Sequence, residues 1–504
     1  MSPLLFLLAF LWPLLYTLRA IISRLTDDRK LPPGPPCLPI IGNLHLLGSL
    51  PHRALHQLAK KHGHIMSLRL GYVPTIVVSS PQAAELFLKT HDAVFASRPK
   101  SQASLYMSYG TKGIAFTEYG PYWRNVKRLC KSHVLNSSTI EYFEPLRREE
   151  VGLFVDSIKK AAAAHEVVDI SKMAGNVIQS MACRMLFGEN KDDEIDMKSL
   201  VKEALLLAGA FNIADYVPFI GAFDLQGLTK RMKAFSRSMD KVLEKIIDEH
   251  EQDVPRQNNQ PNDFVDVLLS LLNDCNDSLD EKAFVIDRTN IKAIIIDMIV
   301  ASLDTSSTTV EWTLSELLRH PHIMKRVQKE LDGVVGMHRM VDEKDLSSLT
   351  YLDMVIKESY RLHPIAPLLI PRESMEDITI DGYYIPKKSR VIINTWAIGR
   401  DPNAWSDSVE LFLPERFKDA NIDIQGHDFR LIPFGSGRRR CPGIQLGLIV
   451  VKLILAQLLH CFDLELPDGM LPSELDMREI FGLATQRVTP LIVVPTYRLR
   501  FFFF

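Results

Sequence analysis

Apolar residues recur at intervals of three and four through most of the chain, which is the period of an amphipathic helix. This pattern predicts helices over residues 54–61, 81–90, 149–163, 198–208, 228–250, 264–273, 285–319 and 444–459. Short runs with strand character are fewer and cover residues 65–69, 75–79, 378–380 and 390–394. Residues 252–263 are rich in Asn, Gln and Pro and are predicted to form an exposed loop. The sequence therefore predicts a mainly α fold with a minor β part.

The first 22 residues have a different character. Residues 3–18 carry no charge and are rich in Leu and Phe, and the apolar run resumes after Arg19. A membrane-spanning helix needs about 20 residues. The sequence therefore predicts a single membrane anchor over 1–22, with the charge of Arg19 extended to the interface. A cleaved signal peptide is the alternative, and the absence of basic residues before the apolar run argues against it.

A basic, proline-rich segment, 23–37, follows the predicted anchor. Its basic residues are Arg24, Arg29 and Lys30. Positive charge on this side predicts that the rest of the chain lies in the cytosol. The prolines at 32–36 stiffen the segment toward polyproline geometry, so we interpret it as a hinge. Residues 38–504 contain no obvious linker or internal repeat, which predicts one large domain.

Charge and cysteine content exclude several classes of function. The 504 residues include 59 basic and 61 acidic side chains, a net charge of −2, so no nucleic acid or other polyanion is expected as a partner. The six cysteines are scattered without a Cys-x-x-Cys pair. This spacing argues against a disulfide framework and a zinc site, and it favours a reducing compartment.

One cysteine lies in an unusual loop, residues 434–443, with the sequence Phe-Gly-Ser-Gly-Arg-Arg-Arg-Cys-Pro-Gly. Gly437 and Gly443 are expected to adopt positive φ and to let the backbone approach closely. Backbone N–H groups, the three arginines and the N-terminal dipole of the predicted helix 444–459 favour the thiolate of Cys441 over the thiol. A buried structural cysteine is the alternative for a shorter motif, and the full pattern favours a thiolate that binds a metal.

The pattern Phe-x-x-Gly-x-Arg-x-Cys-x-Gly resembles the haem-binding signature of the cytochrome P-450 monooxygenases. The resemblance implies a haem b cofactor whose iron has the Cys441 thiolate as its axial ligand. It also implies that Arg439 pairs with a haem propionate, that Phe434 shields the sulfur, and that Gly437 and Gly443 belong to the cofactor site. The implied fold is the cytochrome P-450 fold, a single large haem domain behind an N-terminal transmembrane helix.

The segment Ala301-Ser302-Leu303-Asp304-Thr305-Ser306, within a predicted helix, is similar to the family's oxygen-binding motif. Ala301 and Thr305 share one helix face at i, i+4, and the small alanine leaves room for dioxygen beside the threonine hydroxyl. Asp304 is expected to feed protons from the other side. Ser302 stands where the family usually has glycine. A serine there can hydrogen-bond to a carbonyl of the preceding turn.

A further set of residues resembles a structural part of the family. Glu358 and Arg361, three residues apart on a helix that ends before Pro364, form with Arg416 a set similar to the family's buried Glu-Arg-Arg network behind the haem. A surface ion pair is the alternative explanation of this spacing. The network is expected to hold the core around the cofactor rather than to do chemistry.

The segment 119–128 is similar to the family's Trp-x-x-x-Arg haem contact, with Trp123 and then Lys127 in place of the arginine. Lysine keeps the charge but lacks the planar fork of arginine. Arg372, in Pro371-Arg372-Glu373, resembles another arginine that binds a haem propionate. The resemblance therefore implies three further haem contacts, Trp123, Lys127 and Arg372.

By the same resemblance, the substrate pocket is formed by apolar residues from several segments. They include Leu105, Phe211, Met298, Ile365, Ala366, Leu369 and Leu483. No charge stands among these positions, so a carboxylate on the substrate would be unpaired at high cost. A low-polarity substrate is favoured, with a terpenoid slightly ahead of a neutral phenolic. Hydroxyls near the first of these residues, at Ser104, Tyr106, Ser108 and Tyr109, could bond a phenol.

The resemblance covers essentially the whole chain. The sequences of its motifs are similar to those of the plant A-type branch, which makes specialised metabolites. It implies an NADPH- and O2-dependent hydroxylase of the endoplasmic reticulum membrane, with its catalytic body facing the cytosol. Its expected partners are NADPH-cytochrome P-450 reductase, membrane lipid and a small hydrophobic substrate. Two alternatives remain open. One is a haem-thiolate isomerase or dehydratase that needs no reductase, and the other is a non-catalytic haem-binding sensor.

Overall fold

The structure is a computed structural model that describes residues 30–188, 197–253, 263–276, 286–406 and 408–499. The predicted membrane anchor, residues 1–22, lies outside the described residues, as do residues 23–29 of the predicted hinge. The rest of the hinge contains no helix. It lies against the first strand of a sheet, where Ser67 N donates to Pro33 O at 2.8 Å.

Helices form most of the described chain, as the sequence predicts. The long helices are Pro51–His62, Pro121–Leu129, Glu144–Ala163, Ile170–Phe187, Met197–Gly209, Leu228–Asp253, Phe264–Asn276, Arg288–Arg319, Pro321–Val334, Thr350–Leu362 and Ile444–Cys461. Shorter helical segments are Leu44–Leu46, Pro81–Glu85, Leu86–Thr90, Gln102–Met107, Cys130–Val134, Ser137–Tyr142, Ile213–Asp215, Pro218–Gly221, Glu343–Ser348, Thr395–Ile398, Pro402–Trp405, Pro414–Phe417, Gly437–Arg439, Pro467–Gly469 and Pro472–Glu474.

Most predicted helices are present, with ends moved by local caps. The helix predicted over 285–319 begins at Arg288, because the Asp287 side chain accepts a hydrogen bond from Asn290 N and so ends the preceding extended segment. The prediction missed the helix Ile170–Phe187, which is buried on most of its surface. Its polar residues Lys172, Asn176, Ser180 and Arg184 recur every four residues, but they form only a narrow stripe, so the amphipathic period is weak.

The helix Arg288–Arg319, here called the central helix, crosses the largest hydrophobic core. It packs against Ile170–Phe187, Thr350–Leu362 and Ile444–Cys461. The central helix and Ile444–Cys461 are long and apolar enough to span a membrane by composition. Most of the apolar stretch in each helix is buried inside the domain, so both are core helices of the fold.

The β part consists of small sheets at the edges of the helical core. The largest sheet joins Ile65–Leu70, Val73–Val78, Arg390–Ile393 and Arg372–Glu373 in that order. A second sheet joins Val168–Asp169, Ile492–Tyr497 and Phe462–Glu465. Two hairpin-like pairs complete the β part: Ile378–Ile380 with Tyr383–Ile385, and Glu479–Ile480 with Gln486–Arg487. All four predicted strands are present, within two residues of their predicted ends.

The largest sheet brings distant parts of the chain together. Val73–Val78 runs parallel to Arg390–Ile393, with Thr75 opposite Arg390. Arg372–Glu373 pairs antiparallel with the other side of Arg390–Ile393. Through this register Arg372 and Arg390 lie on neighbouring strands. Arg372 reaches the Cys-containing loop at Ser436, and Arg390 reaches Tyr216 in the turn before Pro218.

Candidate functional site

The loop Phe434–Gly443, here called the Cys loop, passes close to the segment around Asp92. Gly437 has φ +67, and a side chain there would collide with Leu88 O and lie 2.5 Å from Asp92 Oδ1. The predicted positive φ is therefore confirmed at Gly437. It is wrong at Gly443, where φ is −88 because this residue already leads into the helix Ile444–Cys461.

Opposing effects act on the Cys441 thiol. Burial raises its pKa above the usual value, while a hydrogen bond from Gly443 N–H and the charges of Lys127 and Arg440 lower it. The N–H group and the positive charges thus favour the thiolate, as predicted. Burial is the larger effect and favours the thiol. Cys441 N donates to Phe434 O at 3.0 Å. The Phe434 ring packs edge-on against another aromatic ring, Tyr360, at 5.5 Å between centroids.

Three buried guanidinium groups lie close together beside the Cys loop. Arg439 donates to Ala96 O at 2.6 Å and to Thr117 O. Arg372 donates to Asp92 Oδ1 at 2.8 Å and to Ser436 O at 2.7 Å. These contacts hold the two predicted haem-binding arginines in place.

The third guanidinium is that of Arg98, which sequence reasoning missed. It donates to Ala115 O at 3.0 Å and to Pro371 O at 2.9 Å. A lone arginine before Pro99 carries no pattern that distinguishes it from a solvated turn residue. Only the fold reveals that this side chain is 6% exposed.

The three arginines repel one another electrostatically. Burial lowers the pKa of Arg98 well below its usual range, and the nearby charges of Arg439 and Arg372 lower it further. Burial likewise lowers the pKa of Arg439 to about 9, with Arg372 acting in the same direction. Among the described residues, only one carboxylate, that of Asp92, forms an ion pair with Arg372. The cluster of Arg98, Arg372 and Arg439 therefore carries more positive charge than the described protein neutralises.

Trp123 and Lys127 connect this arginine cluster to the Cys loop. The Trp123 ring is buried, with the guanidinium of Arg439 4.0 Å and the ammonium of Lys127 5.2 Å from its centroid. Lys127 Nζ donates to the carbonyl oxygen of Arg438 and lies 3.4 Å from that of Arg440. The structure thus brings both predicted residues to the site, with the lysine bonded to the backbone of the Cys loop.

The central helix contributes the polar residues of the oxygen-binding motif. Thr305 Oγ1 donates to Ala301 O at 2.6 Å, and Ala301 is exposed beside it. The predicted back-bond of Ser302 is confirmed, since its hydroxyl donates to Ile299 O at 3.3 Å. Asp304 accepts a hydrogen bond from Gln486 Nε2. The hydroxyl and the carboxylate therefore occupy adjacent positions on the central helix, with the hydroxyl beside open space.

A half-buried carboxylate, Asp297, lies about two turns before Asp304 and Thr305 on the central helix and was not predicted as a site residue. Its Oδ2 accepts hydrogen bonds from Ile114 N at 2.5 Å and Ala115 N at 3.0 Å. Burial raises its pKa to about 6. The carbonyls of the same two loop residues accept hydrogen bonds from Trp123, Arg98 and Arg439. Asp297 thus fixes the loop that holds the arginine cluster.

The predicted Glu-Arg-Arg set comes together as a buried network. Glu358 and Arg361 are fully buried and share two hydrogen bonds of 2.7 Å. Arg416 Nε lies 3.1 Å from Glu358 Oε1, which also accepts a hydrogen bond from Leu413 N at 2.8 Å. The alternative of a surface ion pair is therefore wrong, because the fold encloses both charges.

The predicted pocket residues are only partly brought together. Phe211, Leu369 and Leu483 line one cavity of about 80 Å³. Ile365 is buried. It lies near the segment of Leu483, since its carbonyl accepts a hydrogen bond from Thr485 N at 2.8 Å. Leu105 is 51% exposed and is not among the residues that line this cavity.

The other two predicted pocket residues, Met298 and Ala366, are half-buried and also lie outside the cavity lining. Met298 packs against the largest core. Two of the four nearby hydroxyls are engaged in local structure: Ser104 Oγ donates to Ser101 O at 2.8 Å, and Tyr109 OH donates to Asp240 Oδ1 at 2.8 Å. These contacts weaken the idea that Ser104 and Tyr109 bond a phenol.

The residues around the Cys loop fit haem b. Haem b carries two carboxylates, and the cluster of Arg98, Arg372 and Arg439 has an excess of buried positive charge that two carboxylates would neutralise. The thiol of Cys441 lies among groups that stabilise its anion. A planar apolar ring system bearing carboxylates therefore matches the donor set.

Comparison with known proteins decides the family. The sequence model described as "Cytochrome P450" matches residues 32–492. The chain belongs to the cytochrome P450 family. A solved structure described as a zebra fish cytochrome P450 with abiraterone superposes with a TM-score of 0.74 at 28% sequence identity, covering 89% of this chain and 100% of that one. The expected cytochrome P450 fold is confirmed.

Plant members of the family are similar over nearly the full length. Cytochrome P450 CYP736A12 from Panax ginseng is 59% identical over 497 residues, which cover 99% of each chain. Cytochrome P450 71B34 from Arabidopsis thaliana is 41% identical, over 93% of each chain. A flavonoid 3'-monooxygenase from Petunia hybrida is 39% identical, over 99% of this chain and 98% of that protein. The resemblance to the plant A-type branch is confirmed.

Family membership establishes the reaction class. The chain is a haem-thiolate monooxygenase that uses haem b, O2 and electrons from NADPH supplied through a reductase. Its substrate is a small hydrophobic molecule, as in the family. The identity of that molecule and the individual roles of the site residues are matters of proposal.

Replacing Glu358 with alanine should destabilise the domain strongly. The change leaves Arg361 and Arg416 buried beside each other without their shared carboxylate. The expected loss in the free energy of unfolding is about 3–5 kcal/mol, measured by denaturant unfolding. The control is Glu85→Ala, which breaks an exposed pair with Lys89 and should cost less than about 0.5 kcal/mol. Equal effects of the two changes would contradict a buried network.

Replacing Asp297 should change stability in a pH-dependent way. The folded carboxyl titrates at about 6, above its ordinary value of 3.8, so its ionisation lowers the free energy of unfolding as pH rises from about 4 to 6. Asp297→Asn should remove this decline, whereas Asp297→Ala should cost about 2–4 kcal/mol throughout because two N–H groups lose their acceptor. Unfolding curves between pH 4 and 7.5 measure both effects.

The control for this prediction is Asp156→Asn, which changes an exposed carboxylate. It should leave the pH dependence unaltered. A wild-type profile that is flat from pH 4 to 6, or one that Asp297→Asn leaves unchanged, would show that Asp297 does not titrate in the predicted range.

Proposed function

We propose that this protein hydroxylates a low-polarity plant specialised metabolite. The observation that carries the proposal is the cavity lined by Phe211, Leu369 and Leu483, one of whose lining residues, Leu369, also lies beside the Cys loop. Leu369 Cδ1 lies 3.8 Å from the position of a Cβ on Gly435. The sequence alone favours a terpenoid slightly. Relatives described as flavonoid 3'-monooxygenases shift the preference to a neutral phenolic.

The proposed haem site uses the residues gathered around the Cys loop. Cys441 is the proposed axial ligand, and haem supplies oxygen activation when it is bound there. Arg98, Arg372 and Arg439 hold its two carboxylates, which supply the negative charge that the arginine cluster lacks. The Trp123 ring stabilises Arg439, whose guanidinium carbon lies 4.0 Å from the ring centroid.

The Cys loop itself is proposed to be shaped for the cofactor. Lys127 fixes two carbonyls of the loop, and Gly437 allows its close turn. The position of a Cβ on Gly443 lies in open space, since nothing is within 4 Å of it. Phe434 shields the sulfur from one side by packing on Tyr360. Glu358, Arg361 and Arg416 hold the surrounding core together.

Proton delivery is the proposed role of the central helix. The Thr305 hydroxyl donates to Ala301 O in the structure, and rotation about its side chain turns the hydroxyl toward the open space beside Ala301. Asp304, bonded to Gln486, holds a proton at its carboxyl on the opposite side of the helix. Serine, threonine and carboxylic acid groups can both accept and donate a proton, as a relay requires.

The surface next to Cys441 is the proposed docking site for NADPH-cytochrome P-450 reductase. An open cleft of about 1120 Å³ there is lined by Lys127, Lys131 and Arg440. Among the described residues, none of these three side chains forms an ion pair with a carboxylate. Unneutralised positive charge on such a surface attracts an acidic partner and orients it during association.

Membrane attachment is proposed to use more than the anchor over residues 1–22. Ile41 and Phe219 are exposed apolar side chains on one side of the domain, 38% and 55% accessible. They are linked through Gly71 N, which donates to Ile41 O at 3.0 Å, and through Tyr72, whose ring lies 5.4 Å from that of Phe219. This side of the domain adjoins the hinge and fits the surface of a membrane.

We place the protein in the endoplasmic reticulum membrane as a single-pass protein whose domain, residues 38–504, faces the cytosol. The direct test uses membranes that contain the protein and a plant reductase, supplied with NADPH and labelled dioxygen. Neutral phenolics and sesquiterpenes are offered, and a product with one labelled oxygen is expected by mass spectrometry. Conversion of a hydroperoxide without NADPH would instead support the isomerase or dehydratase alternative.

Replacing Thr305 with alanine should uncouple NADPH oxidation from product formation. The change removes the hydroxyl beside Ala301 while keeping the helix, because alanine is the best helix former. We expect the ratio of product to NADPH consumed to fall about tenfold. The control Ser307→Ala removes a hydroxyl that bonds within the helix to Leu303 O and Asp304 O, and should change coupling little. Unchanged coupling in Thr305→Ala would remove Thr305 from the mechanism.

Replacing Cys441 with alanine should abolish the thiolate-type absorbance of the ferrous–CO complex. The control is Cys461→Ala, in which a buried thiol far along the following helix is lost and the spectrum should persist. Survival of the thiolate-type spectrum in Cys441→Ala would show that another residue binds the iron.

A further inference from the structure

One wall of the substrate cavity carries a buried guanidinium that the apolar pocket prediction did not include. Arg390 begins the strand Arg390–Ile393 and lines the same cavity as Phe211, Leu369 and Leu483. It is only 6% exposed. Its guanidinium carbon lies 4.6 Å from the centroid of the Tyr216 ring. A full positive charge therefore faces the space assigned to an apolar substrate.

Part of this guanidinium lacks a hydrogen-bond partner. Among the described residues, no acceptor bonds Arg390 Nε, and no carboxylate forms an ion pair with this side chain. Leaving a buried donor unsatisfied costs the desolvation of that group. Such a donor on the wall of a cavity offers a position where a polar group of a ligand can bind.

A carboxylate lies on the same wall. Asp215 lines the cavity and accepts a hydrogen bond from Gln102 N at 2.7 Å through Oδ1. Burial raises its pKa, and the attraction of Arg390 opposes that rise. Arg98 also lines the cavity, but its Nε and Nη1 donate to the carbonyls of Ala115, Ile370 and Pro371, and its remaining charge is assigned to the haem carboxylates.

The charges on this wall select the chemistry of a ligand. Arg390 offers a donor and Asp215 offers an acceptor, and their charges are opposite. A carboxylate ligand would add a negative charge beside Asp215, and an amine would add a positive charge beside Arg390, so either would be opposed by one of them. A hydroxyl group adds no charge and can both accept and donate a hydrogen bond.

We propose that Arg390 and Asp215 form a recognition site for a hydroxyl group of the substrate. The inference rests on the proposed function and narrows it. The substrate is an apolar skeleton that already carries an alcohol or a phenol, rather than a pure hydrocarbon or a carboxylic acid. The class of reaction that supplies it must therefore leave a free hydroxyl on the skeleton.

Equilibrium binding to the haem-loaded, full-length protein tests this site. Two matched pairs of probes are titrated, and the haem absorbance change gives Kd: 4′-hydroxyflavanone against flavanone, and farnesol against farnesene. In at least one pair, the hydroxylated probe should bind about tenfold or more tightly than its partner. A wild-type ratio below about twofold in both pairs would overturn the proposal.

Variants then assign the preference to particular residues. Arg390→Met keeps much of the side-chain volume and removes the donors, so the ratio of the two Kd values should fall to near one while the Kd of the hydrocarbon partner stays within about twofold. Asp215→Asn should reduce the ratio less, because the amide still accepts through its oxygen. Equal weakening of both probes in Arg390→Met would show a merely structural role, through its contact with Tyr216.

A matched control exists in the chain. Arg400 is equally buried, at 7% exposed, and its guanidinium carbon lies 3.8 Å from the Trp396 centroid. It is not among the residues lining the cavity. Arg400→Met therefore imposes a similar loss of a buried cation over an aromatic ring, and it should leave the ratio of Kd values unchanged.

The readout separates this inference from the proposed hydroxylation. A preserved binding ratio with no incorporation of labelled oxygen would overturn the hydroxylation and support the recognition site. Incorporation of labelled oxygen with equal Kd values within both pairs would overturn the recognition site alone.

Discussion

Excess positive charge buried beside the Cys loop is the constraint on which the rest of this structure depends. Arg98, Arg372 and Arg439 come from three separate segments and lie close together. Among the described residues, Asp92 is the one carboxylate that forms an ion pair with a member of this cluster. Most of their donors are taken by backbone carbonyls, which solvate the cations but do not neutralise them. Since haem brings two carboxylates, cofactor binding and the stability of this region are thermodynamically linked.

Two acids of the core, Glu358 and Asp297, stabilise different parts of the structure around that charge. Glu358 is matched by two guanidinium groups and so closes a balanced network behind the Cys loop. Asp297 is bonded by two backbone N–H groups instead, which fix the loop at Ile114 and Ala115. These hydrogen bonds lower the pKa of Asp297, but the larger effect of burial raises it. The central helix therefore places the arginine cluster indirectly, through the loop whose carbonyls the arginines bind. The same helix carries the proposed proton relay about two turns later, so haem position and proton delivery depend on one rigid element.

Much of this arrangement could be predicted from the sequence, because motifs report residues whose spacing along the chain is short. Cys441, Arg439 and Phe434 lie in one loop, and Ala301 and Thr305 lie one helical turn apart, so local geometry determines their relation. Arg98 and Asp297 could not be predicted in this way. Their partners are backbone atoms distant in sequence, at positions 115, 371 and 114, and backbone atoms leave no mark in the residue pattern. The helix Ile170–Phe187 was missed for a different reason, since its polar residues form a stripe too narrow to show a strong amphipathic period.

Apolar positions in the sequence predicted part of the cavity lining but not its charged residues, Arg390 and Asp215. Residues such as Phe211 and Leu483 were expected because apolar side chains are what a pocket for a low-polarity molecule requires, and they do line one cavity. The charged wall arises from topology instead. The parallel pairing of Val73–Val78 with Arg390–Ile393 sets Arg390 at the start of a central strand, and Tyr72 N bonds to Tyr216 O at 2.8 Å, which draws Asp215 to the same edge. In such a cavity the burial of apolar ligand surface supplies affinity but does not orient the ligand. A donor and an acceptor on one wall fix which end of the ligand faces the sheet.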